Sequence, residues 1–301
     1  MVSQKKTLRF GLAVNKFHRS SIESGLTSWL DEADIDIHAL GITFYAVGGA
    51  YDSIQATNHS SLIKIDRAPD GYRGGLMRLV SRIVGGISKT DVLDGVIYFI
   101  DPVDPSSTYP ETQALKRQCV IHGKPFVSTI CGAVEWMFIE ACHAKLVRPE
   151  RICQYIQTLS SQTVALVAHD ALKPQMLDFA NKNLELLSQF KVRIGTGTTG
   201  GLLNELAWQK GFPKSEKWVN CYLSGPLGGD AQIAELLLDG QCQKIIFFED
   251  PHVARQHEAD IQLMERAVWS RSDYATCFNS PAMAHSWASA IQKVLAFDRV
   301  N

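Results

Sequence analysis

The side chains best suited to chemistry lie in the second half of the chain, and one of them closes a glycine-rich turn. Asp230 follows Ser224-Gly225-Pro226-Leu227-Gly228-Gly229, a composition that cannot form the middle of a helix or a strand. A helical apolar pattern starts directly afterwards, which predicts that Asp230 lies near a helix N-terminus. A carboxylate in this position is either a helix cap or a base held by the turn, and the turn alone does not separate the two.

Apolar runs in the same half each end in polar side chains, which predicts where a site forms. Runs of this length, bounded by glycine or charge, are typical of buried parallel strands that alternate with helices. Ligands bind at the carboxyl ends of such strands. The runs cover 164–168, 192–194, 221–223 and 244–248. The polar groups after them are His169, Asp170 and Lys173; Gly195 to Gly201; Ser224 and Gly225; and Asp250, followed by His257 and Asp260.

The loop from Gly195 to Gly201 has the composition of a phosphate cradle. Its backbone N–H groups and the start of the following helix favour a bound anion. Its glycine spacing also fits the dinucleotide fingerprint, but the loop does not follow the first strand of its domain, which favours a compact phosphate. The residues expected to bind phosphate are Thr196, Gly197, Thr198 and Thr199, with a charge from Lys173 and further groups from Ser224 and Gly225.

Histidine and carboxylate side chains complete the candidate set. His169 and His257 are candidates to hydrogen-bond substrate oxygens, and deprotonating a carbon next to a ketone needs a carboxylate within reach. The sequence alone does not rank Asp230, Asp250 and Asp260 for that task. Neighbouring ligands of zinc type are lacking, so we expect no metal.

In order and spacing, these motifs resemble methylglyoxal synthase. The matching pieces are His169-Asp170-x-x-Lys173, Gly195-Thr196-Gly197-Thr198-Thr199-Gly200, Ser224-Gly225-Pro226-x-Gly228-Gly229-Asp230, and Asp250-Pro251 with His257 and Asp260. The resemblance covers the chain from about residue 161 to about residue 285. It implies a flavodoxin-like α/β domain that converts dihydroxyacetone phosphate to methylglyoxal and inorganic phosphate, with no cofactor and no metal.

The resemblance also implies roles for single residues. Asp230 is then the base, Asp250 and Asp260 orient and balance charge, and His257 stabilises the ene-diolate. It further implies a small phosphorylated substrate, inorganic phosphate as product and inhibitor, and a homo-oligomer. Glu249 departs from the family pattern, which commonly has an aromatic residue before the Asp-Pro pair.

The first half of the chain repeats the second in degenerate form. The turn Gly71-Tyr72-Arg73-Gly74-Gly75-Leu76 matches Gly225 to Asp230, so that Leu76 replaces the carboxylate. Asn15 and Thr108 stand at the histidine positions, and the threonines of the cradle are gone. We therefore predict a tandem duplication of two flavodoxin-like α/β domains, 1–147 and 148–301. The first is expected to be non-catalytic and a structural partner for the second.

Composition limits the classes of function. The chain has 301 residues, a net charge of -1 and seven cysteines. Balanced charge argues against a nucleic-acid or membrane-surface partner. The odd cysteine number, without zinc-type spacing, indicates reduced and mostly buried thiols of a cytoplasmic protein. One alternative stays open, a phosphate-ligand sensor without catalysis, although a sensor has no need of Asp230, His257 and Asp260 together.

Overall fold

Ten parallel strands form two five-stranded sheets in the part of the chain that the computed structural model describes. It describes residues 7–20, 24–61, 63–252 and 258–298, without the side chains of 60, 61, 258–261 and 293–298. The first sheet contains β1 (Arg9–Val14), β2 (Thr43–Ala46), β3 (Lys64–Arg67), β4 (Gly95–Phe99) and β5 (Phe126–Val127). The second contains β6 (Thr163–Ala168), β7 (Val192–Gly195), β8 (Asn220–Cys221), β9 (Lys244–Phe248) and β10 (Thr276–Phe278).

The two sheets have the same strand order. It is β3-β2-β1-β4-β5 in the first and β8-β7-β6-β9-β10 in the second, and every described pairing is parallel. The chain divides into two compact units between Leu146 and Val147. The prediction of two tandem α/β domains of flavodoxin type is therefore confirmed.

Helices cover both faces of each sheet, as the right-handed crossovers of parallel strands require. In the first unit they are α1 (Gly25–Leu40), α2 (Gly48–Gln55), α3 (Gly75–Ile83), α4 (Pro110–Ile121) and α5 (Ile130–His143). In the second they are α6 (Pro149–Leu159), α7 (Lys173–Lys182), α8 (Leu184–Leu187), α9 (Gly197–Gln209), α10 (Gly229–Leu238), α11 (Glu258–Ser270) and α12 (Pro281–Asp298). In the first unit α1 packs on α5 on one face of the sheet, and α3 packs on α4 on the other. In the second unit α7 packs on α9 and α12 on one face, and α10 packs on α11 on the other.

The central strands make the core of each unit. Strands β4 and β9 are buried along their whole length, and β1 and β6 are buried after their first residue. The edge strand β8 differs from the prediction, because both of its residues are exposed and Tyr222 and Leu223 continue as loop. An edge strand has no neighbour on one side, so an apolar run there need not be buried on both faces.

One other expectation needs correction. Of the seven cysteines, all of them free thiols, only Cys119, Cys142 and Cys242 are buried, so the prediction of mostly buried thiols is wrong. Helix α5 starts at Ile130, because the Thr129 hydroxyl accepts a 3.1 Å hydrogen bond from the Gly132 N–H and caps the helix there. None of the described helices is long and apolar enough to cross a membrane.

Candidate active site

Two of the predicted site residues that the structure describes follow strands at the point where the strand order of the second unit reverses. Strand β6 lies between β7 and β9 in the sheet. After β6 the chain adds β7 and β8 on one side, and it then crosses to the other side of β6 to form β9. Such a switch point leaves a crevice at the carboxyl ends of the strands. His169 follows β6 there, and Asp250 follows β9.

The ring of His169 is held by the end of the neighbouring strand. Its Nδ1 accepts a 2.8 Å hydrogen bond from the backbone N–H of Asp250, and its ring meets Phe247 edge-on at 4.9 Å between centroids. An Nδ1 that accepts from an amide carries no hydrogen of its own. The neutral imidazole therefore carries its hydrogen on Nε2, which makes that atom a donor.

Threonine side chains and a helix N-terminus form the predicted cradle. Thr196 precedes the first residue of α9, and Thr196 and Thr199 are buried, with their hydroxyl oxygens 3.5 Å apart. Thr198 points from the same turn and is exposed. The Gly197 N–H donates a 3.0 Å bond to the Leu223 carbonyl, which ties the cradle to the loop after β8. The macrodipole of a 13-residue helix favours an anion at this end.

Lys173 begins α7 directly after the strand-end loop of β6. Its ammonium group forms an ion pair with Asp170, whose side chain is 95% exposed. The sequence predicted the position of the lysine but not this partner. An ion pair with so exposed a carboxylate contributes little to stability.

The glycine turn positions Asp230 through backbone geometry. Gly228 has a φ of 96°, a left-handed conformation that favours glycine. A Cβ atom on Gly229 would overlap the carbonyl oxygen of Leu223, and one on Gly225 would lie 2.9 Å from Asp230 Oδ2. Asp230 is the second residue of α10 and only 6% exposed, so a nearly buried carboxylate faces the turn.

The remaining predicted carboxylates are described in part. Asp250 Oδ1 accepts a 2.9 Å hydrogen bond from the His252 N–H, which fixes the loop after β9. His257 and the side chain of Asp260 lie outside the described residues, although the backbone of Asp260 belongs to α11. Among the described residues, no group of three or more histidine, cysteine, aspartate or glutamate side chains could hold a metal ion.

The first unit keeps the framework of this site without its reactive groups. Asn15 Oδ1 accepts a 3.1 Å bond from the Asp101 N–H, as His169 Nδ1 does from Asp250. The Asn15 amide then donates to Asp104 at 3.2 Å and to the Ser106 hydroxyl at 2.9 Å, inside the unit. The donor side of the asparagine is thus used for local structure.

In the first unit the Asp70 carboxylate lies over the start of α2, which corresponds to the predicted cradle of the second unit. A Cβ atom on Gly48, the first residue of α2, would overlap Asp70 Oδ1. Asp70 stands where Ser224 stands in the other unit, and Arg67 pairs with it at 3.0 Å. Sequence reasoning missed this contact, although an aspartate directly before the glycine turn was a readable signal.

Fold and site together define a doubly wound α/β domain of flavodoxin type, in which an oriented histidine, a helix N-terminus and a nearly buried aspartate follow the strand ends. A stretch of 103 residues is 43% identical to methylglyoxal synthase of Treponema socranskii, covering 34% of this chain and 63% of that protein. A stretch of 106 residues is 42% identical to methylglyoxal synthase of Rhizobium etli, covering 35% and 78%. The chain belongs to the methylglyoxal synthase family.

The matches extend over about a third of the chain, and they support an enzyme of the lyase type. The crystal structure of methylglyoxal synthase from Elizabethkingia anophelis NUHP1 aligns with a TM-score of 0.34 and 33% identity, covering 42% of this chain and 77% of that one. The chain spans less than two thirds of the length of the Treponema relative. No family model matches the sequence.

Proposed function

We propose that the second unit converts dihydroxyacetone phosphate to methylglyoxal and inorganic phosphate. The observation that carries the proposal is the nearly buried Asp230 carboxylate, held at the start of α10 by a turn that contacts the start of α9 through Leu223. A base and a phosphate cradle are thereby joined through one short loop. This is the pair of groups that proton abstraction next to a ketone and phosphate elimination need.

In the first step Asp230 removes a proton from the hydroxymethyl carbon of the substrate. The electron pair of that C–H bond forms an ene-diolate, and the proton stays on the Asp230 carboxyl group. Donors at the strand ends then stabilise the oxygen that gains charge. The Nε2–H of His169 is one such donor, and the family pattern adds His257.

In the second step the C–O bond to phosphate breaks. The electron pair of the ene-diolate forms the new double bond, and the pair of the broken bond leaves with phosphate. The product is the enol of methylglyoxal, in which the aldehyde is already formed. Its methylene carbon takes up a proton and its enol hydroxyl loses one, which gives the methyl ketone group of methylglyoxal. The start of α9, with Thr196, Thr199 and Lys173, binds the phosphate and fixes the torsion at which elimination is favoured.

The first unit, in this proposal, does not catalyse. Leu76 replaces the base, Asn15 uses its amide internally, and Asp70 lies over the start of α2. The Asp70 side chain, paired with Arg67 at 3.0 Å, then fills the position that a phosphate would need. Domains 1–147 and 148–301 would then share a fold but not an activity.

One assay tests the proposed reaction. The purified chain is incubated with dihydroxyacetone phosphate, and methylglyoxal and released phosphate are measured together. Equal amounts of both products support the elimination, and inorganic phosphate is expected to inhibit by occupying the cradle. Tight phosphate binding with no product would instead support a sensor. Light scattering on the same sample tests the homo-oligomer that we propose.

A further inference from the structure

A second acidic side chain is buried at the end of strand β9, directly before Asp250. Glu249 is 3% exposed, less than Asp230. Transfer of a carboxyl group from water to a protein interior is costly, and hydrogen bonds or ion pairs offset that cost. The mechanism described above does not use Glu249.

The pairing of β6 with β9 sets Glu249 beside His169. Val167 is in register with Phe247 and Ala168 with Phe248, and the His169 N–H donates to the Phe248 carbonyl at 3.1 Å. One further step along both strands aligns Glu249 with His169. Residues in register on parallel strands point to the same face.

The face of the sheet follows from the neighbours of β9. Phe248 packs on Phe179 of α7, at 5.6 Å between ring centroids, whereas the ring of His169 packs on Phe247. Alternation along the strand therefore puts Glu249 on the face opposite to α7, with His169. The β6–β7 and β7–β8 connections run toward one edge of the sheet, whereas the β8–β9 connection runs toward the other edge. With right-handed crossovers, α10 therefore covers the face opposite to α7, and Asp230 at the start of α10 lies on that face.

The fold does not require a carboxyl group here. In the first unit the same position is Ile100, which is completely buried, and Asn15 still accepts its hydrogen bond from the next N–H. An isoleucine and a glutamate thus support the same strand end. What distinguishes the unit with the reactive groups is the acidic side chain.

We propose that the Glu249 carboxyl group is a further catalytic group of this site, a neutral acid that donates a hydrogen bond to an ene-diolate oxygen beside the His169 Nε2–H. The inference rests on the proposed function. Burial in a protein interior disfavours the charged form of a carboxyl group. A neutral acid in such a site donates to an oxygen that gains negative charge, and no proton transfer is needed.

Binding of two probes tests the contact independently of turnover. Inorganic phosphate occupies only the cradle, whereas the hydroxamate of phosphoglycolic acid also imitates the planar ene-diolate. We expect Glu249→Ile to weaken hydroxamate binding by about 10- to 100-fold, as for loss of a hydrogen bond to a charged group. Glu249→Gln keeps a donor and should stay within about 5-fold of the wild type. Phosphate affinity should stay within about 3-fold in both variants.

Each result decides the proposal. Wild-type hydroxamate affinity in Glu249→Ile overturns it, and so does a Glu249→Gln variant as weak as Glu249→Ile, because a charged acceptor would then be needed. If the wild type binds the hydroxamate but releases no methylglyoxal from dihydroxyacetone phosphate, the proposed reaction fails while the Glu249 contact stands. If Glu249→Ile turns over like the wild type, the reaction stands and the Glu249 role fails.

A folding control uses the other unit. Glu249→Ile installs the residue of the first unit and should melt at or above the wild-type temperature. Ile100→Glu makes the reverse change at the equivalent position and should melt lower, since it buries a carboxyl group where no chemistry is expected. A lower melting temperature for Glu249→Ile would assign Glu249 a structural role and overturn the catalytic one.

Discussion

The backbone N–H of Asp250 donates to Nδ1 of His169 over 2.8 Å, which joins the ends of two neighbouring strands and fixes one tautomer of the ring. In the first unit the N–H of Asp101 makes the same contact with Asn15 over 3.1 Å. The Asn15 side chain thus provides the same hydrogen-bond acceptor as His169 Nδ1, but its N–H donor lies in a different place. The acceptor joins the strand ends in both units, whereas the Nε2 donor of His169 is the group that we expect to contact a substrate.

His169→Asn should therefore fold normally and react slowly. The amide oxygen can accept from Asp250 as Asn15 accepts from Asp101, but the donor at Nε2 is lost. Removing one oriented donor typically lowers turnover by about 10²- to 10³-fold. Steady-state turnover with circular dichroism checks this, and ¹⁵N spectra of the wild type should show the hydrogen on Nε2. A ring with its hydrogen on Nδ1 would contradict the assigned geometry.

Asp230→Asn keeps the shape of the side chain and removes the proton acceptor. A positioned base contributes about 10²- to 10⁴-fold to rate, so turnover should fall by at least the lower figure with the fold intact. Leu76→Asn is the matched control at the equivalent position of the first unit and should leave turnover unchanged. Near-normal turnover of Asp230→Asn would remove Asp230 from the role of base.

Inorganic phosphate should raise the thermal stability of the second unit by mass action. Lys173→Ala combined with Thr199→Ala should abolish most of that rise, because it removes a charge and a buried hydroxyl of the cradle. Arg19→Ala, at the position of the first unit that corresponds to Lys173, should leave the rise unchanged. Differential scanning fluorimetry over a phosphate series is the measurement, and an undiminished shift in the double variant would move the phosphate elsewhere.

Two glycines in the second unit should respond to alanine in opposite directions. A Cβ atom on Gly229 would overlap the Leu223 carbonyl, so Gly229→Ala should lower stability and displace Asp230. A Cβ atom on Gly201, inside α9, would meet open space, so Gly201→Ala should raise the free energy of unfolding by about 0.5 to 1 kcal/mol. Chemical denaturation of both variants checks the pair; stabilisation by Gly229→Ala would show that the turn is not constrained as described.

The Glu140 carboxyl group makes the free energy of unfolding of the first unit depend on pH. Burial raises the pKa of its carboxyl group from 4.5 to about 6, opposed by a 3.0 Å hydrogen bond from Trp136 Nε1 and assisted by the charge of Asp94. The folded state then holds the proton more tightly than the unfolded state, so stability falls as pH rises from about 4.5 through about 6.

Glu140→Gln removes that dependence and keeps an oxygen for Trp136. Its free energy of unfolding minus that of the wild type should rise over this pH window by on the order of 1 to 2 kcal/mol and then stay level. Denaturant titrations at several pH values measure the difference. A difference that stays flat across the window would mean that Glu140 titrates equally in both states.

Local patterns predicted much of this molecule. Apolar runs located the central strands, and the turn Gly71–Leu76 was aligned with Gly225–Asp230 from composition alone. Both turns indeed have a left-handed glycine, Gly74 at 81° and Gly228 at 96°, and matching backbone hydrogen bonds. Glycine conformations are set within a few residues, so the sequence carries them directly.

Contacts between distant segments were not predictable in the same way. Asp70 covers Gly48 only because β2 and β3 are neighbours in the sheet. The exposure of β8 depends on its place at the sheet edge. Each of these follows from topology, which a single sequence constrains weakly.

The paired glycines after each turn have a consequence for recognising such domains from sequence. A side chain on either Gly75 or Gly229 would meet a carbonyl oxygen, that of Pro69 or Leu223, so the backbone demands glycine whether or not an aspartate follows. A Gly-Gly pair in this place therefore reports the shape of the turn. The single residue after it, leucine in one unit and aspartate in the other, is the one on which the proposed reaction depends.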